Sequence, residues 1–510
     1  MYETALAISL LSWGAVGAWF FKRPSSSLFH PFTYYFLFHG LVFVIRPIVG
    51  DLLDYQVLYK VYQFQPSESD KLTVMFASNL GFLTFAWAVM REGDVPFVFK
   101  DDRFAASERK RLFNAFLITC LIVAPLGLYS IATQFTDATQ GTLNSTMIID
   151  KATGAFVNTT GNGYFTNAAL LLASCGTVFV WLVGFRWWSF LPLVTFVVLR
   201  AGTGGRGPFV TAMVSCGLLW LYTHRRRFPT QSVAIGIAVL LMMFRYVGDD
   251  RGQRVRGIFV ADNSPTYGAE ARAADPLKFL ESMDYGNLEF FQYIVYAVPQ
   301  RSKTYDYFLD NLQLFTNPIP RKWWPEKPIG GPLNRIFLFD YGNPVGMTRS
   351  LPGEGWFAWG WAGVMIWCGL WGLVLGRVYR RYVESDQSTF KTACYFVALP
   401  TLIIAYRDGE LNTVVTLTAI YLVPVGLWWL ASRYLGVPRA AALRAAFQRQ
   451  LAARSGEATA SFAQTGARGD ETARSAAKPP RRRPAIALPA AVLRRRAALA
   501  ASDVVARGEA

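Results

Sequence analysis

Cysteine and histidine are both scarce in this chain of 510 residues, which has five of the first and three of the second. The cysteines (Cys120, Cys175, Cys216, Cys368 and Cys394) all fall inside apolar runs, and none has a Cys-x-x-Cys or Cys/His metal spacing. A disulfide framework and a structural metal are therefore not expected, and buried thiols behaving as small hydrophobes account for all five. Strict two-residue alternation is missing, which argues against a transmembrane barrel. No internal repeat is visible. The one conspicuous glycine turn, Gly202–Gly207, lacks a following Lys-Ser/Thr, so it is not a Walker phosphate loop. Positive charge is absent before the first apolar run, where Met1–Thr4 carries only Glu3, so that run does not read as a signal peptide.

Apolar length is what the chain does have. It is 53% hydrophobic and 15% aromatic, with a mean hydropathy of +0.25. Runs of about 18 to 22 residues recur, each able to cross a hydrocarbon core about 30 Å thick. Since lipid satisfies no backbone polar group, they must be helices. Eleven spans are expected: 5–21, 31–49, 72–90, 112–132, 164–185, 187–199, 208–222, 231–246, 356–376, 392–406 and 411–430. Basic clusters follow the odd-numbered spans at Lys22-Arg23, Lys100–Arg111, Arg186, His224–Arg227 and Arg377–Arg381. The positive-inside rule then puts the N-terminus outside and the C-terminus inside. The short sixth and seventh spans can be tilted, broken or re-entrant.

Four regions result. Residues 1–247 hold spans one to eight, and 248–355 form a large outer loop with short helices. Residues 356–431 hold spans nine to eleven, and 432–510 form a basic, mostly disordered inner tail. The net charge of +17 is no nucleic-acid signal, because fifteen Lys and Arg against five Asp and Glu from Ser432 onward place +10 of it in the tail. Leu443, Phe447 and Leu451 among arginines allow an amphipathic helix on anionic lipid there, and a solvated tail fits equally.

The informative residues break the inside-positive pattern. Arg46, Arg200, Arg206, Arg245 and Arg407 lie at or near the outer ends of spans. A cation beside hydrocarbon must pair, snorkel or face a wet cavity. Snorkelling explains any one of them. A convergent group suits phosphate or diphosphate, since guanidinium offers bidentate donors and stays charged. The glycine turn beside Arg200 and Arg206 either brings backbone N–H groups to an anion or is an ordinary tight turn.

The loop 248–355 carries twelve Lys and Arg against thirteen Asp and Glu. Its Leu280, Met283, Leu288, Phe291 and Tyr293–Tyr296 are expected to pack it against the bundle. In Asn317–Pro328, prolines forbid regular structure, and Arg321, Lys322 and Lys327 flank Trp323 and Trp324. Such flat rings suit sugars, and interfacial anchoring is the competing reading. Arg349 and Glu354 precede the ninth span, where Glu354 either caps a helix or acts chemically. Arg407 and Asp408 precede the eleventh, as a functional pair or an interfacial ion pair.

Four segments in this order are similar to the Wzy-type (O-antigen) oligosaccharide repeat-unit polymerases: Gly204–Pro208, Asn317–Pro328, Pro352–Gly363 and Arg407-Asp408. The resemblance covers about the first 430 residues in layout and leaves out the tail. It implies a membrane-embedded, GT-C-like glycosyltransferase of the bacterial inner membrane. Such an enzyme transfers a growing glycan from undecaprenyl diphosphate to the non-reducing end of a new lipid-linked unit at the periplasmic face. It implies no metal, nucleotide or other cofactor. The implied partners are lipid-linked donor and acceptor, a chain-length regulator and a flippase, and no nucleic acid. On this reading Arg206, Arg349 and Arg407 stabilise the leaving diphosphate together with Arg321, and Glu354 or Asp408 takes the acceptor proton. Arg200, Arg321, Lys322, Trp323, Trp324 and Lys327 bind substrate. The competing classes are an O-antigen ligase, a flippase of the same lipid-linked unit and a scaffold. The ligase pattern puts a histidine in the outer loop, whereas His30, His39 and His224 lie at or within spans.

Overall fold

A computed structural model describes residues 1–100, 103–139, 147–149, 156–158, 167–229, 253–259, 280–281, 283–316 and 335–437, with eight isolated positions (231, 235, 236, 242, 319, 323, 324 and 326). By internal contacts the chain divides into residues 1–440 and 441–510, and the second unit lies outside the described residues.

Among its described residues the first unit is mainly helical, with one hairpin of two three-residue strands, Met147–Ile149 and Phe156–Asn158. Its helices are α1 (Tyr2–Phe21), α2 (Pro31–His39), α3 (Arg46–Leu52), α4 (Val57–Tyr62), α5 (Glu68–Gly93), α6 (Arg103–Thr139) and α7 (Ala169–Val183). There follow α8 (Leu191–Gly202), α9 (Gly207–Thr223), α10 (Asn287–Ala297), α11 (Leu351–Glu384), α12 (Thr389–Asp408) and α13 (Leu411–Tyr434). Among the described residues seven helical stretches are long and apolar enough to cross a membrane, and three more are apolar but shorter. The chain is a multi-pass membrane protein. Ten of the eleven expected apolar runs coincide with these helices, and the eighth, 231–246, lies almost wholly outside the described residues.

Among the described residues three cores organise the bundle. Of the two larger, one joins α1, α2, α5, α10 and α11, and the other joins α6, α7, α8, α9, α12 and α13. The third packs Phe29 and Phe97 against the ends of α9 and α11 and the start of α12. Helix α7 is buried on nearly every side, which is why its sequence is apolar all round. The extended chain 94–100 is stitched to neighbouring loops by Arg227, which donates to the Phe97 carbonyl at 2.7 Å, and by Gln387, which donates to the Val98 carbonyl at 2.8 Å.

Two irregularities position the polar residues. Between α2 and α3, Gly40–Ile45 form a π-helical segment. Pro47 has no N–H to give the preceding turn, and the Arg46 N–H reaches back five residues to Leu41. The widened turn buries Arg46 almost completely, at 1% exposure.

The second irregularity overturns a sequence expectation. The ninth run reads as one uninterrupted span from Trp356. Instead α11 begins at Leu351 and breaks at Trp359 (φ −162°, ψ 37°) and Gly360 (φ 57°, ψ −139°). Residues eight apart in a straight helix are about 12 Å apart along its axis. Here Gly355 and Gly363 touch: a Cβ on Gly363 would lie 2.0 Å from the Gly355 oxygen. The half-helix Leu351–Ala358 is thus folded back on the rest of α11. The carbonyls freed at the break accept from Asp306 N–H (Phe357 O, 3.1 Å) and Tyr307 N–H (Ala358 O, 2.8 Å), as a broken helix inside a membrane protein requires. The half-helix packs beside the middle of α5, since a Cβ on Gly81 would meet both Pro352 and Val364.

Gly363→Ala should therefore pry the half-helix off. The expected loss is about 3 kcal/mol, at the upper end of overpacking, seen as an earlier melting transition in detergent by size-exclusion fluorescence. Gly369→Ala, whose Cβ meets only the Thr84 methyl at 3.4 Å, should melt like wild type.

Candidate functional site

Three turns and one helix end converge where the half-helix starts. Ser350 caps it, its Oγ accepting from Gly353 N–H at 3.3 Å. The Ser350 N–H donates to the Arg407 carbonyl at 2.8 Å, and Asn287 Nδ2 donates to the Thr348 and Arg407 carbonyls at 2.8 Å each. Gly409, at φ +74°, closes α12 so tightly that a Cβ there would lie 2.4 Å from the Ser350 oxygen. Its carbonyl accepts from Trp367 Nε1 at 3.0 Å. Trp367 is nine residues, about 13 Å along a helix, from Gly376, which packs on Gly93 at the end of α5. The turns therefore meet part-way down α5, not at its end.

Beneath them lies a buried charge cluster. Arg349 donates to Glu354 Oε2 at 2.9 Å and to Asp310 Oδ2 at 2.7 Å, with side-chain exposures of 6%, 1% and 4% in that order. The guanidinium also lies 3.9 Å over the Phe357 ring. Burial alone would depress the Arg349 pKa, but Glu354 and Asp310 more than offset it and the group stays charged. Asn311 links the cluster to α13: its Nδ2 donates to Glu354 Oε1 at 3.1 Å and its Oδ1 accepts from Leu411 N–H at 3.0 Å. Asp306 Oδ2 accepts from Asp310 N–H at 3.1 Å, while Oδ1 has no hydrogen-bond partner among the described residues. Burial, then the neighbouring Asp310 charge, lift Asp306 to about 7.

The segment 284–289 gathers three of the outer arginines. Asp284 accepts from Arg206 at 2.7 Å, and both groups are partly exposed. Asn287 holds the backbone of Arg407, whose side chain is 45% exposed and lies 3.9 Å from Asp408. Glu289 takes two donors of the buried Arg46 (Nη2–Oε1 2.8 Å, Nε–Oε2 3.0 Å), and Nη1 has no hydrogen-bond partner among the described residues. Tyr285, between them, feels both Arg206 and Arg46.

Several sequence expectations change. Arg349 was expected to face the diphosphate, yet the two ion pairs and the Phe357 ring enclose it, because burial demands that its charge be matched locally. Glu354 lies in the first turn of α11, while the N-cap itself is Ser350. At Gly205 of the glycine turn a Cβ would lie 2.7 Å from Arg200 Nε, so the Arg200 guanidinium packs against the turn. Arg200 is tied to Gln134 and Thr203 beneath the turn, and the Gly202 carbonyl accepts from Arg256 at 2.8 Å. Arg206 stands at the open end, where Gly207 meets nothing within 4 Å.

Arg245, Arg321, Lys322 and Lys327 lie outside the described residues. Trp323 is 79% exposed and Trp324 is partly exposed. The packing expectation for Leu280, Leu288, Phe291 and Tyr293 holds, with α10 buried in the bundle. Sequence reasoning missed Asp284, Asn287, Glu289, Asp306, Asp310, Asn311 and Glu410. The available signal was the near balance of acids and bases in 248–355, where so many carboxylates need cationic partners.

The site thus offers Arg407, 45% exposed, and Arg206, 20% exposed and paired with Asp284, together with a sealed carboxylate–arginine cluster. Among the described residues no group of three or more His, Cys, Asp or Glu side chains is arranged to hold a metal ion. The chain matches no protein-family model, no curated protein and no solved structure.

Proposed function

We propose that this chain is a membrane glycosyltransferase that polymerises undecaprenyl-diphosphate-linked oligosaccharide repeat units. It does so at the periplasmic face of a bacterial inner membrane, as a GT-C-like bundle of eleven spans with its N-terminus outside and its C-terminus inside. The reading rests on the resemblance of the four segments. The observation that supports it most is that the Arg206 side chain and the Arg407 backbone are held by residues three apart, Asp284 and Asn287. An acceptor hydroxyl attacks the anomeric carbon, and charge grows on the departing diphosphate. Donors already fixed in place stabilise that charge more in the transition state than in the ground state. Diphosphate is itself an activated leaving group, so the reaction needs no nucleotide.

One observation favours a second reading, a transporter of the same lipid-linked unit. The broken α11 is the kind of discontinuous helix that transporters place at midplane. A deletion strain separates the readings. Loss of a polymerase leaves single repeat units on the lipid core, whereas loss of a ligase or flippase leaves none. A core carrying no sugar unit would remove the polymerase reading.

A further inference from the structure

We propose that Glu410, rather than Glu354 or Asp408, takes the proton of the acceptor hydroxyl, a role that rests on the polymerase reading. The other carboxylates of the site are committed or closed off. Glu354 receives Arg349 on one oxygen and Asn311 on the other, and is 1% exposed. Asp310 holds Arg349, Asp284 holds Arg206, and Asp306 is 1% exposed. Asp408 Oδ1 is buried with no hydrogen-bond partner among the described residues, and Arg407 lies 3.9 Å from it. Glu410 is partly exposed and has no ion-pair partner among the described residues. Its Oε2 accepts from Thr413 Oγ1 at 2.8 Å, and its Oε1 has only the Asn412 amide at 3.5 Å. That leaves an oxygen able to receive a hydroxyl.

Its placement suits the task. The tight Gly409 turn puts Glu410 three residues from the half-open Arg407, and Leu411 N–H on Asn311 pins the start of α13. The charged groups around it are Glu354 on the half-helix, Asp310 and Asp306 on the adjoining turn, Arg349 before the half-helix, and Arg407 and Asp408 at the end of α12. Burial first, with Glu354 and Asp310 adding to it against Thr413 and Arg349, raises Glu410 to about 7. A base is most effective with a pKa near the working pH.

In the step, the acceptor oxygen forms the new bond to the anomeric carbon. The bond from that carbon to the diphosphate oxygen breaks, and its electron pair leaves with the diphosphate. The acceptor proton passes to Glu410, which is only partly buried and returns it to water.

The test uses the full chain in nanodiscs with undecaprenyl-diphosphate repeat units extracted from the deletion strain. Initial extension rates are measured from pH 5.5 to 9. Wild type should rise about tenfold per pH unit below about 7 and level off above, because only the ionised carboxylate accepts a proton. Glu410→Gln should lose about 10²- to 10⁴-fold and with it the acid limb. Glu410→Asp should keep part of the rate and a displaced limb. Glu354→Gln should retain the limb whatever its rate. A Glu410→Gln protein with the wild-type profile, or a Glu354→Gln protein without the limb, would overturn the assignment and leave the polymerase reading standing. A wild-type chain that extends nothing at any pH would overturn both.

Discussion

Arg349→Met should leave little folded protein. The side chain neutralises Glu354 and Asp310 within a cluster that is at most 6% exposed. Removing the cation strands two carboxylates beside a third, Asp306. Breaking a buried pair from one side costs about 3–5 kcal/mol, a large part of any domain's stability. Arg349→Lys should be destabilised less, since it keeps the charge while losing one arm of the fork. Arg349→Met combined with Glu354→Gln should recover part of the loss, because one stranded charge goes with it. Yield and melting temperature in detergent measure all three. An Arg349→Met protein that melts like wild type would show that the cluster is not held by charge.

Arg206→Ala and Arg407→Ala should behave in the opposite way, folding normally and losing function. Both side chains are partly exposed, and the pairs they leave (Arg206–Asp284 at 2.7 Å, Arg407–Asp408 at 3.9 Å) are partly solvated, so stability should change by less than about 1 kcal/mol. Removing one preorganised donor from a developing anion typically costs about 10²- to 10³-fold in rate. In cells each variant should shift the polysaccharide ladder on gels toward single units while membrane abundance stays normal. Arg256→Ala is the control. It removes the donor to the Gly202 carbonyl, a structural contact, so abundance rather than chain length alone should fall.

Legibility in the sequence followed physical scale. Spans were readable because each is a local property of about twenty residues, and helices occupy ten of the eleven expected runs. Arg46, Arg206 and Arg407 were readable as anomalies because a cation beside hydrocarbon is conspicuous without knowledge of its partner. Partners were not readable. Arg349 and Asp310 are 39 residues apart, and Arg46 and Glu289 are 243 apart. Only the fold brings them together. The half-helix was hidden because no proline marks its break, and Trp356–Gly376 is apolar throughout. The trace it left is glycine at 355, 360 and 363, one on each side of the fold-back and one within it. Glu410 stood beside Arg407 in plain view. Its neighbour Asp408 looked equivalent until Asp408 Oδ1 was seen to be buried and Glu410 Oε1 to hold only the 3.5 Å contact with Asn412.

Purified chain supplied with authentic lipid-linked repeat units, and assayed for glycan length and freed undecaprenyl diphosphate together, bears most directly on a leaving group held by arginine. One lipid diphosphate should be released for each unit joined, and the Arg206→Ala, Arg407→Ala double variant should bind the units yet release almost none. Movement of intact units across the bilayer with no diphosphate freed, or full release by the double variant, would contradict it.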